Sequence, residues 1–318
     1  MEVDPMLDPG FPETLPEFEA TFGDEDACLE YLKSKKWPRG FRCPRCEHDR
    51  SYTIRIRRVE QCARCRHQTS LTAGTMFHKT RKPLTLWFRA IFEFVSRKHG
   101  CNAMDLQRLL GLARKTAWSW LHKIRECMVT PNRSMLSGEV QVDESYVGGP
   151  EEGTLGRDRG SKKILLVGAV EEREEGCGRA RLAPVPSAGA HDLQCWIVDV
   201  VQEWAAVCTD GLASYEGLDE CYEHQVQVIG DPKTASKKFP QIHRVFSLFK
   251  RLYLGIYHGS MSEKYAPLYC EEFTFRFNRR NSKCRTLLVQ RVLENAVHQA
   301  PRIHLYAGKE GLVPRVAA

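Results

Sequence analysis

Two Cys-x-x-Cys pairs restrict the possible folds of this chain more than any other feature of its sequence. The first pair is Cys43 and Cys46, and fifteen residues separate it from the second, Cys62 and Cys65. Zinc prefers four thiolate ligands in a tetrahedron, and each pair can present two sulfur atoms to one ion across a short turn. The spacing therefore predicts a zinc ribbon at residues 39–75. The zinc would be structural, because four thiolates leave no coordination position open for a reaction.

The sequence also bears on the cellular compartment. No apolar run approaches the roughly 18 residues that a membrane helix needs, and the first thirty residues lack the basic and apolar regions of a secretory signal. We therefore expect a cytoplasmic protein without membrane contact. The chain has 13 cysteines. The nine outside the two pairs stand singly, as buried small hydrophobic side chains do.

Charge is distributed very unevenly along the 318 residues, although the net charge is only +7. Residues 1–30 carry ten acidic side chains and no Lys or Arg, whereas residues 31–130 carry 23 Lys and Arg against six Asp and Glu. A block with a local balance of +17 attracts a polyanion, and release of counterions from nucleic acid is the obvious use for it. DNA is the expected partner. A merely solvated basic surface is the alternative.

From Pro83 the pattern becomes helical, and residues 76–130 are the predicted helical DNA-binding segment. In residues 101–128, two apolar periodic segments flank Gly111-Leu112, and the second opens with two basic residues. A glycine at the turn and a basic start to the second helix are typical of a helix-turn-helix, although any short helical hairpin can have similar residues at its turn. We predict that six basic side chains of the cysteine pairs and of this second helix contact DNA: Arg45, Arg64, Arg66, Arg114, Lys115 and Lys123.

From Gly138 onward, strand-like and helix-like segments alternate, which is typical of an α/β domain. The predicted strands cover residues 139–146, 164–171, 179–186, 206–209 and 223–229. The predicted helices cover residues 190–203, 240–257 and 263–280, and a Gly-rich polar loop from 148 to 163 joins the first two strands. We expect a mixed sheet with flanking helices.

Two aspartates each close a strand-like run, Asp143 in Val-Gln-Val-Asp and Asp210 in Val-Cys-Thr-Asp. Carboxylates at the ends of adjacent strands can hold one or two Mg²⁺ ions, which suits in-line attack on a phosphodiester. The pairing of these strands is not visible in the sequence, and an aspartate after a strand is often only a turn former.

The order of the segments adds information. The two cysteine pairs and the helical stretch are followed by DESYVGG, TDG, HRVFSLFKR and EEFTFRFNRR. Over residues 20–285 this order resembles the zinc-ribbon group of bacterial insertion-sequence transposases in the DDE superfamily, the ISXO-like elements. The resemblance implies a ribonuclease H-like catalytic domain, with Asp143 and Asp210 as catalytic metal ligands for Mg²⁺ or Mn²⁺. It also implies DNA cleavage at the element's ends and joining of the 3′-hydroxyl ends to target DNA.

In this resemblance His243 takes the third catalytic position, and Lys250 follows it by two helical turns, so both side chains project from one helix face. A neutral imidazole is a poorer ligand than carboxylate for Mg²⁺ but is acceptable to Mn²⁺, and His243 could instead deprotonate the attacking water. Lys250 would lie against a DNA phosphate. Glu144 is a weaker candidate, because it points to the opposite face of its strand. Glu271 and Glu272 are the fallback carboxylates.

The expected organisation has five parts, and two other functions stay open. The parts are an acidic arm and short helix (1–38), the zinc ribbon (39–75), a helical DNA-binding segment (76–130), the ribonuclease H-like domain (136–285) and a C-terminal tail (286–318). We expect a nucleoid-associated homo-oligomer, because two DNA ends must be brought together. The first alternative is an inactive or repurposed zinc-ribbon DNA-binding protein. The second is a zinc-ribbon protein of the transcription machinery, which leaves 138–280 without a role.

Overall fold

In the computed structural model, the residues described are 8, 10–129, 133–148, 163–174, 176–228, 238–259 and 261–299. The chain divides into two compact units. The N-terminal unit comprises Met1–Thr130 with Ser282–Ala318, and the sheet unit comprises Pro131–Asn281. No helix among the described residues is long and apolar enough to span a membrane.

The N-terminal unit begins with two capped helices and a small sheet. The helices are α1 (Leu15–Thr21) and α2 (Glu25–Lys36), and the strands are β1 (Ser51–Ile54), β2 (Val59–Cys62) and β3 (Gln68–Ser70). The side chain of Asp24 caps α2 by accepting a hydrogen bond from the Ala27 N–H at 2.8 Å. The strands form an antiparallel sheet in the order β1-β2-β3, as expected for a zinc ribbon.

Three helices follow in the same unit: α3 (Leu84–Ser96), α4 (Ala103–Leu110) and α5 (Arg114–Glu126). Gly111 ends α4 with a φ of 62°, a left-handed conformation that glycine adopts at little cost. The core between α3 and α5 includes Trp87 and Trp120, whose rings stack with centroids 3.6 Å apart. The expected helix-turn-helix-like segment is therefore present, with the turn at the predicted glycine.

The sheet unit contains a five-stranded mixed sheet. Its strands are β4 (Glu139–Val147), β5 (Ile164–Arg173), β6 (Gly176–Pro184), β7 (Ala206–Thr209) and β8 (Glu223–Val226), in the order β6-β5-β4-β7-β8. β4, β5 and β6 pair antiparallel, whereas β7 runs parallel to β4, and β8 parallel to β7. This order and these directions are those of a ribonuclease H-like sheet, as the sequence predicted.

Helices cover both faces of this sheet. α6 (Ala190–Val200) packs on one face, where Leu193 and Ile197 meet Val142 and Val207 in one buried cluster. α7 (Pro240–Gly255) and α8 (Ala266–Asn278) pack on the other face, in a second buried cluster. Alternate residues of β4 therefore face different helices, which decides which of its polar side chains can meet α7.

Several segments differ from the prediction. β6 starts at Gly176 rather than at residue 179, because Gly176, with a φ of 92°, directly follows the turn from β5 and lets the hairpin close early. α6 ends at Val200 rather than at 203, because Val201 turns extended and bridges to Leu136. Nearly all of the predicted Gly-rich loop lies outside the described residues.

The segment expected as a C-terminal tail begins with a helix, α9 (Thr286–Ala296). This helix belongs to the N-terminal unit and packs on α3. Its side chains Leu288, Val292 and Leu293 are buried. The Ala296 carbonyl accepts a hydrogen bond from the Met76 N–H at 2.9 Å. The N-terminal unit is therefore completed by chain that follows the sheet unit.

Candidate functional sites

Each Cys-x-x-Cys pair forms the same tight turn in the zinc ribbon. The residue after the second cysteine is left-handed in both turns, with a φ of 57° at Glu47 and at Arg66. The N–H of that residue donates to the carbonyl of the first cysteine, from Glu47 to Cys43 at 2.9 Å and from Arg66 to Cys62 at 3.0 Å. This repeated geometry directs both sulfur atoms of each pair towards the same side of the turn.

The four sulfur atoms of these turns converge. Cys43 Sγ lies 3.5 Å from Cys65 Sγ, and Cys46 Sγ lies 3.6 Å from Cys62 Sγ. Tetrahedral zinc with bonds of about 2.3 Å needs sulfur atoms about 3.8 Å apart, so the arrangement fits that ion closely. All four ligand atoms lie within 4.8 Å of one another, and Cys43 and Cys62 are buried.

The predicted DNA contacts differ in exposure. Arg45, Arg64 and Arg66 are exposed around the cysteine turns, and Arg114 and Lys115 are exposed at the start of α5. Lys123 is only half-exposed, with its Nζ 5.7 Å from the centroid of the Trp87 ring, and burial lowers its pKa. Lys123 is therefore partly used in packing within its own unit, whereas the other five side chains point into solvent.

Both candidate aspartates lie just beyond the end of the β4–β7 ladder. The last pair of this parallel ladder is Gln141 with Cys208. Asp143 lies two residues after Gln141, in the middle of β4 rather than at its end as predicted, and Asp210 lies two residues after Cys208, directly after β7. Asp143 Oδ1 accepts from the Glu144 N–H at 2.8 Å, and Asp210 Oδ1 accepts from the Leu212 N–H at 3.0 Å. Each carboxylate thus has one oxygen anchored by nearby backbone.

His243 lies on the first turn of α7, against Asp143. Its Nε2 is 3.7 Å from Asp143 Oδ2, which is too long for a hydrogen bond. This nitrogen is buried and has no hydrogen-bond partner. Burial, and secondarily the charge of Lys250, lowers the pKa of the imidazole, so the ring is neutral near pH 7 and keeps a lone pair.

Lys250 meets the same strand further along α7. Its Nζ donates a hydrogen bond to Ser145 Oγ at 2.8 Å. Burial lowers the pKa of the ammonium, while the charge of Asp143 opposes that shift. His243 and Lys250 therefore project from one face of α7, as their spacing predicted, and they contact Asp143 and Ser145, which share one face of β4.

Gln141 completes this row, although the sequence analysis did not single it out. Its Oε1 accepts hydrogen bonds from the N–H groups of Gln241 at 3.1 Å and of Ile242 at 3.2 Å. The four steps along the strand from Gln141 to Ser145 cover about 13 Å. The nine steps along the helix from Gln241 to Lys250 cover about 13.5 Å. Matching rises let Gln141, Asp143 and Ser145 all meet α7. A polar residue two positions before Asp143 was the only available sequence signal.

Gly168 of β5 pairs directly with Asp143 and lets α7 approach the sheet closely. A Cβ atom at this position would come within 2.7 Å of Leu182, 2.9 Å of Phe246 and 3.0 Å of Ile242. These atoms are the ends of three side chains, which would have to move to admit a larger residue. Gly168 therefore leaves room for Phe246 and Ile242 of α7 beside Asp143.

The fallback carboxylates have other partners. Glu271 forms a two-pronged ion pair with Arg133, at 2.5 and 2.8 Å. Glu272 is fully buried and accepts from Tyr257 Oη at 2.7 Å and from Arg276 Nε at 3.0 Å. Both lie on α8, which packs mainly on β6 at the far edge of the sheet, two strands from β4.

Glu144 lies on the opposite face of β4 from His243, as predicted. It accepts a hydrogen bond from Tyr215 Oη at 2.8 Å, and Tyr215 belongs to the buried cluster on the α6 side. Among the described residues, the four cysteines alone form a group of three or more possible metal ligands within 4.8 Å of one another. Asp143, Asp210 and His243 do not form a cluster of this kind, although His243 Nε2 lies 3.7 Å from Asp143 Oδ2.

Comparison with known proteins identifies two families in the chain. Residues 135–278 match the ISXO2-like transposase domain, and residues 23–68 match the transposase zinc-ribbon domain. An uncharacterized protein in transposable element ISH50 of Halobacterium salinarum is 25% identical over 229 residues, which cover 66% of this chain and 76% of the relative.

Two solved structures are similar at a low level. A simian T-cell lymphotropic virus intasome in complex with PP2A regulatory subunit B56 gamma gives a TM-score of 0.29 at 13% identity, covering 69% of this chain and 73% of the other. A pre-cleavage Mos1 transpososome gives a TM-score of 0.24 at 12% identity, covering 66% and 78%. Since these scores are low, the fold assignment rests on the strand order and strand directions.

Proposed function

Because the chain belongs to the insertion-sequence transposases with a zinc ribbon and an ISXO2-like domain, we propose that it cuts DNA at the element's ends and joins the 3′-hydroxyl ends to target DNA. One observation carries the proposal. Asp143 and Asp210 each lie two residues beyond the last pair of the parallel β4–β7 ladder, and the unpartnered Nε2 of His243 lies 3.7 Å from Asp143 Oδ2. Phosphoryl transfer needs such a group of metal ligands on a rigid support.

Asp143, Asp210 and His243 would hold Mg²⁺ or Mn²⁺. His243 Nε2 and Asp143 Oδ2 lie 3.7 Å apart, so a small movement of either side chain would let both serve as ligands of one ion. When bound, divalent ions activate the attacking oxygen and stabilise the charge that develops on the phosphate. Since an imidazole ligand suits Mn²⁺ better than Mg²⁺, we expect higher activity with Mn²⁺.

The side chains around this site have separate roles in the proposal. Asp143 and Asp210 supply negative charge at the end of the β4–β7 pair. His243, being neutral, can accept a proton from water or serve as a ligand. Lys250 keeps its ammonium beside Ser145 and within the field of Asp143, where it can bind a phosphate oxygen of DNA. Two such sites would be needed for the two ends of an element, which favours a homo-oligomer.

The N-terminal unit would supply most of the DNA affinity through its exposed basic side chains. We expect Lys115→Ala to weaken binding to a duplex of mixed sequence and to lower the slope of log affinity against log salt by about one. Filter-binding titrations at several salt concentrations measure this slope. Lys98→Ala is the matched control, because Lys98 is also exposed in this unit but lies outside the predicted contacts. An unchanged slope in Lys115→Ala would remove this residue from the interface.

Substitutions of His243 test the third catalytic position. His243→Ala should lower cleavage by about a hundredfold, whether the imidazole acts as a ligand or as a base. His243→Glu separates these roles, because a carboxylate ligand should retain or raise activity in Mg²⁺ relative to Mn²⁺. The assay uses purified protein and a DNA fragment that carries the gene with its natural flanks, with and without EDTA.

His191→Ala is the control for this experiment, since His191 is an exposed histidine on α6 of the same unit. It should cleave at the wild-type rate. Wild-type rates in His243→Ala would exclude His243 from the site while leaving the two aspartates in place. DNA binding without any cleavage by the wild-type protein would favour the repurposed DNA-binding protein instead.

A further inference from the structure

We propose that Gln141 is a positioning residue whose buried side-chain amide sets the register of α7 on β4 and thereby holds His243 against Asp143. The inference rests on the proposed function, because only in a DNA-cleaving site does this register affect a reaction. Gln141 is 3% exposed and lies two residues before Asp143 on the same face of β4.

The hydrogen bonds at the start of α7 show what Gln141 supplies. The first four N–H groups of a helix have no partner within the helix. In α7 the first residue is Pro240, which has no N–H, and the N–H of His243 donates to the Phe239 carbonyl at 3.2 Å. The remaining two, those of Gln241 and Ile242, both donate to Gln141 Oε1. Phe239, the residue at the N-cap of α7, supplies no side-chain cap, so this strand residue replaces one.

The orientation of the Gln141 amide is also fixed. Its Nε2 donates a hydrogen bond to Glu172 Oε2 at 2.9 Å, so its oxygen is the atom that faces the helix. Glu172 lies at the end of β5, the strand that also carries Gly168. The amide therefore ties α7 to β4 and β5 within the same helical turn as His243. Loss of the amide would leave two donors without partners at the point where the helix meets the sheet.

A stabilising hydrogen bond elsewhere in the sheet unit provides a matched control. The side-chain amide of Asn278 also joins a helix to a strand, because it accepts from the Ala180 N–H at 2.7 Å and donates to the Ala180 carbonyl at 3.0 Å. It connects α8 to β6, at the edge of the sheet away from β4. Asn278→Leu should therefore lower stability without moving α7.

The experiment compares full-length wild type, Gln141→Leu and Asn278→Leu. Hydrogen exchange of the amides at 241 and 242 should become about tenfold faster in Gln141→Leu and stay unchanged in Asn278→Leu. The kcat for DNA cleavage in Mn²⁺ should fall about tenfold or more in Gln141→Leu, with DNA affinity within about twofold of wild type. Asn278→Leu should keep its kcat.

The double substitution Gln141→Glu with Glu172→Gln is the rescue. It keeps an oxygen acceptor for the two helix N–H groups and reverses the donor and acceptor of the strand pair. We expect it to restore slow exchange and most of the kcat, which a general loss of stability would not explain.

Two results would overturn the proposal. Unchanged exchange at 241 and 242 in Gln141→Leu would mean that the amide does not hold the helix. Faster exchange with a wild-type kcat would mean that the register does not matter for the reaction. If the wild-type protein itself does not cleave DNA, the proposed function fails, and the exchange data still decide whether Gln141 positions α7.

Discussion

Replacing either Asp143 or Asp210 by asparagine is expected to abolish cleavage of DNA ends in both Mg²⁺ and Mn²⁺, while DNA binding remains. Asparagine keeps the shape of the side chain but removes the negative charge that holds a divalent cation. Loss of the metal's stabilisation of the phosphoryl transition state amounts to several kcal/mol, or about a thousandfold or more in rate. Because the basic side chains of the N-terminal unit are unchanged, affinity for DNA should stay close to that of wild type.

The measurement is single-turnover cleavage of the flanked gene fragment, with binding followed separately in the presence of Ca²⁺. Asp199→Asn is the matched control, because Asp199 is exposed on α6 of the same unit and has no part in the proposed site. It should cleave normally. Wild-type cleavage by Asp143→Asn or Asp210→Asn would remove the metal-binding assignment of that residue. Glu271→Gln would then be the next variant, although its ion pair with Arg133 indicates a structural role.

The sequence was most informative where the chemistry is local. The spacing of the four cysteines is enough to predict their turns, because the few residues between two ligands determine whether both can bind one metal ion. The spacing of seven between His243 and Lys250 likewise predicts a common helix face, and both side chains contact the same face of β4. The strands could be found from apolar runs, and Asp210 directly follows β7 as predicted.

Contacts between distant parts of the chain could not be predicted in this way. Asp143 and Asp210 both lie just beyond a parallel ladder between strands about sixty residues apart, and no local pattern encodes that pairing. Gln141 is one polar residue in a strand, and its role exists only because a helix 100 residues later begins beside it. Nothing in the sequence distinguishes Gly168 from other glycines, and only the structure shows that Phe246 and Ile242 pack against it.

Exposure was equally difficult to infer from the sequence. Lys123 belongs to the basic stretch and to the second helix of the helix-turn-helix-like segment, yet its ammonium lies over the Trp87 ring. Glu271 and Glu272 resemble a spare carboxylate pair, but arginine and tyrosine side chains occupy their oxygen atoms. In each case a side chain of another element determines the environment of the charged group, and only the packed structure reveals which one.

The largest effect on the N-terminal unit is expected from Cys62→Ser. Purified wild-type protein should contain about one zinc ion per chain, and the variant should contain almost none, because serine does not replace a thiolate ligand. In small zinc-dependent folds the apparent free energy of zinc binding is about 10–16 kcal/mol, and it contributes to folding. Loss of the zinc should therefore unfold the ribbon. Apart from the cysteines, this region has three strands of three or four residues and a small core around Phe41 and Trp37. Polar contacts with α2, such as the ion pair of Lys33 with the buried Glu60, add to these.

Elemental analysis and hydrogen exchange of peptides within 43–65 measure this outcome together. Cys28→Ser is the matched control: Cys28 is fully buried in the same unit but lies outside the metal-binding group, so this variant should keep its zinc. Exchange in β4 and β5 should stay slow in both variants, because the sheet unit has buried clusters of its own on each face of the sheet. A Cys62→Ser protein that retained zinc, or a zinc-free protein with slow exchange over 43–65, would contradict the prediction. The first result would remove Cys62 as an essential ligand, and the second would make the close approach of the four sulfur atoms a consequence of packing rather than of metal binding.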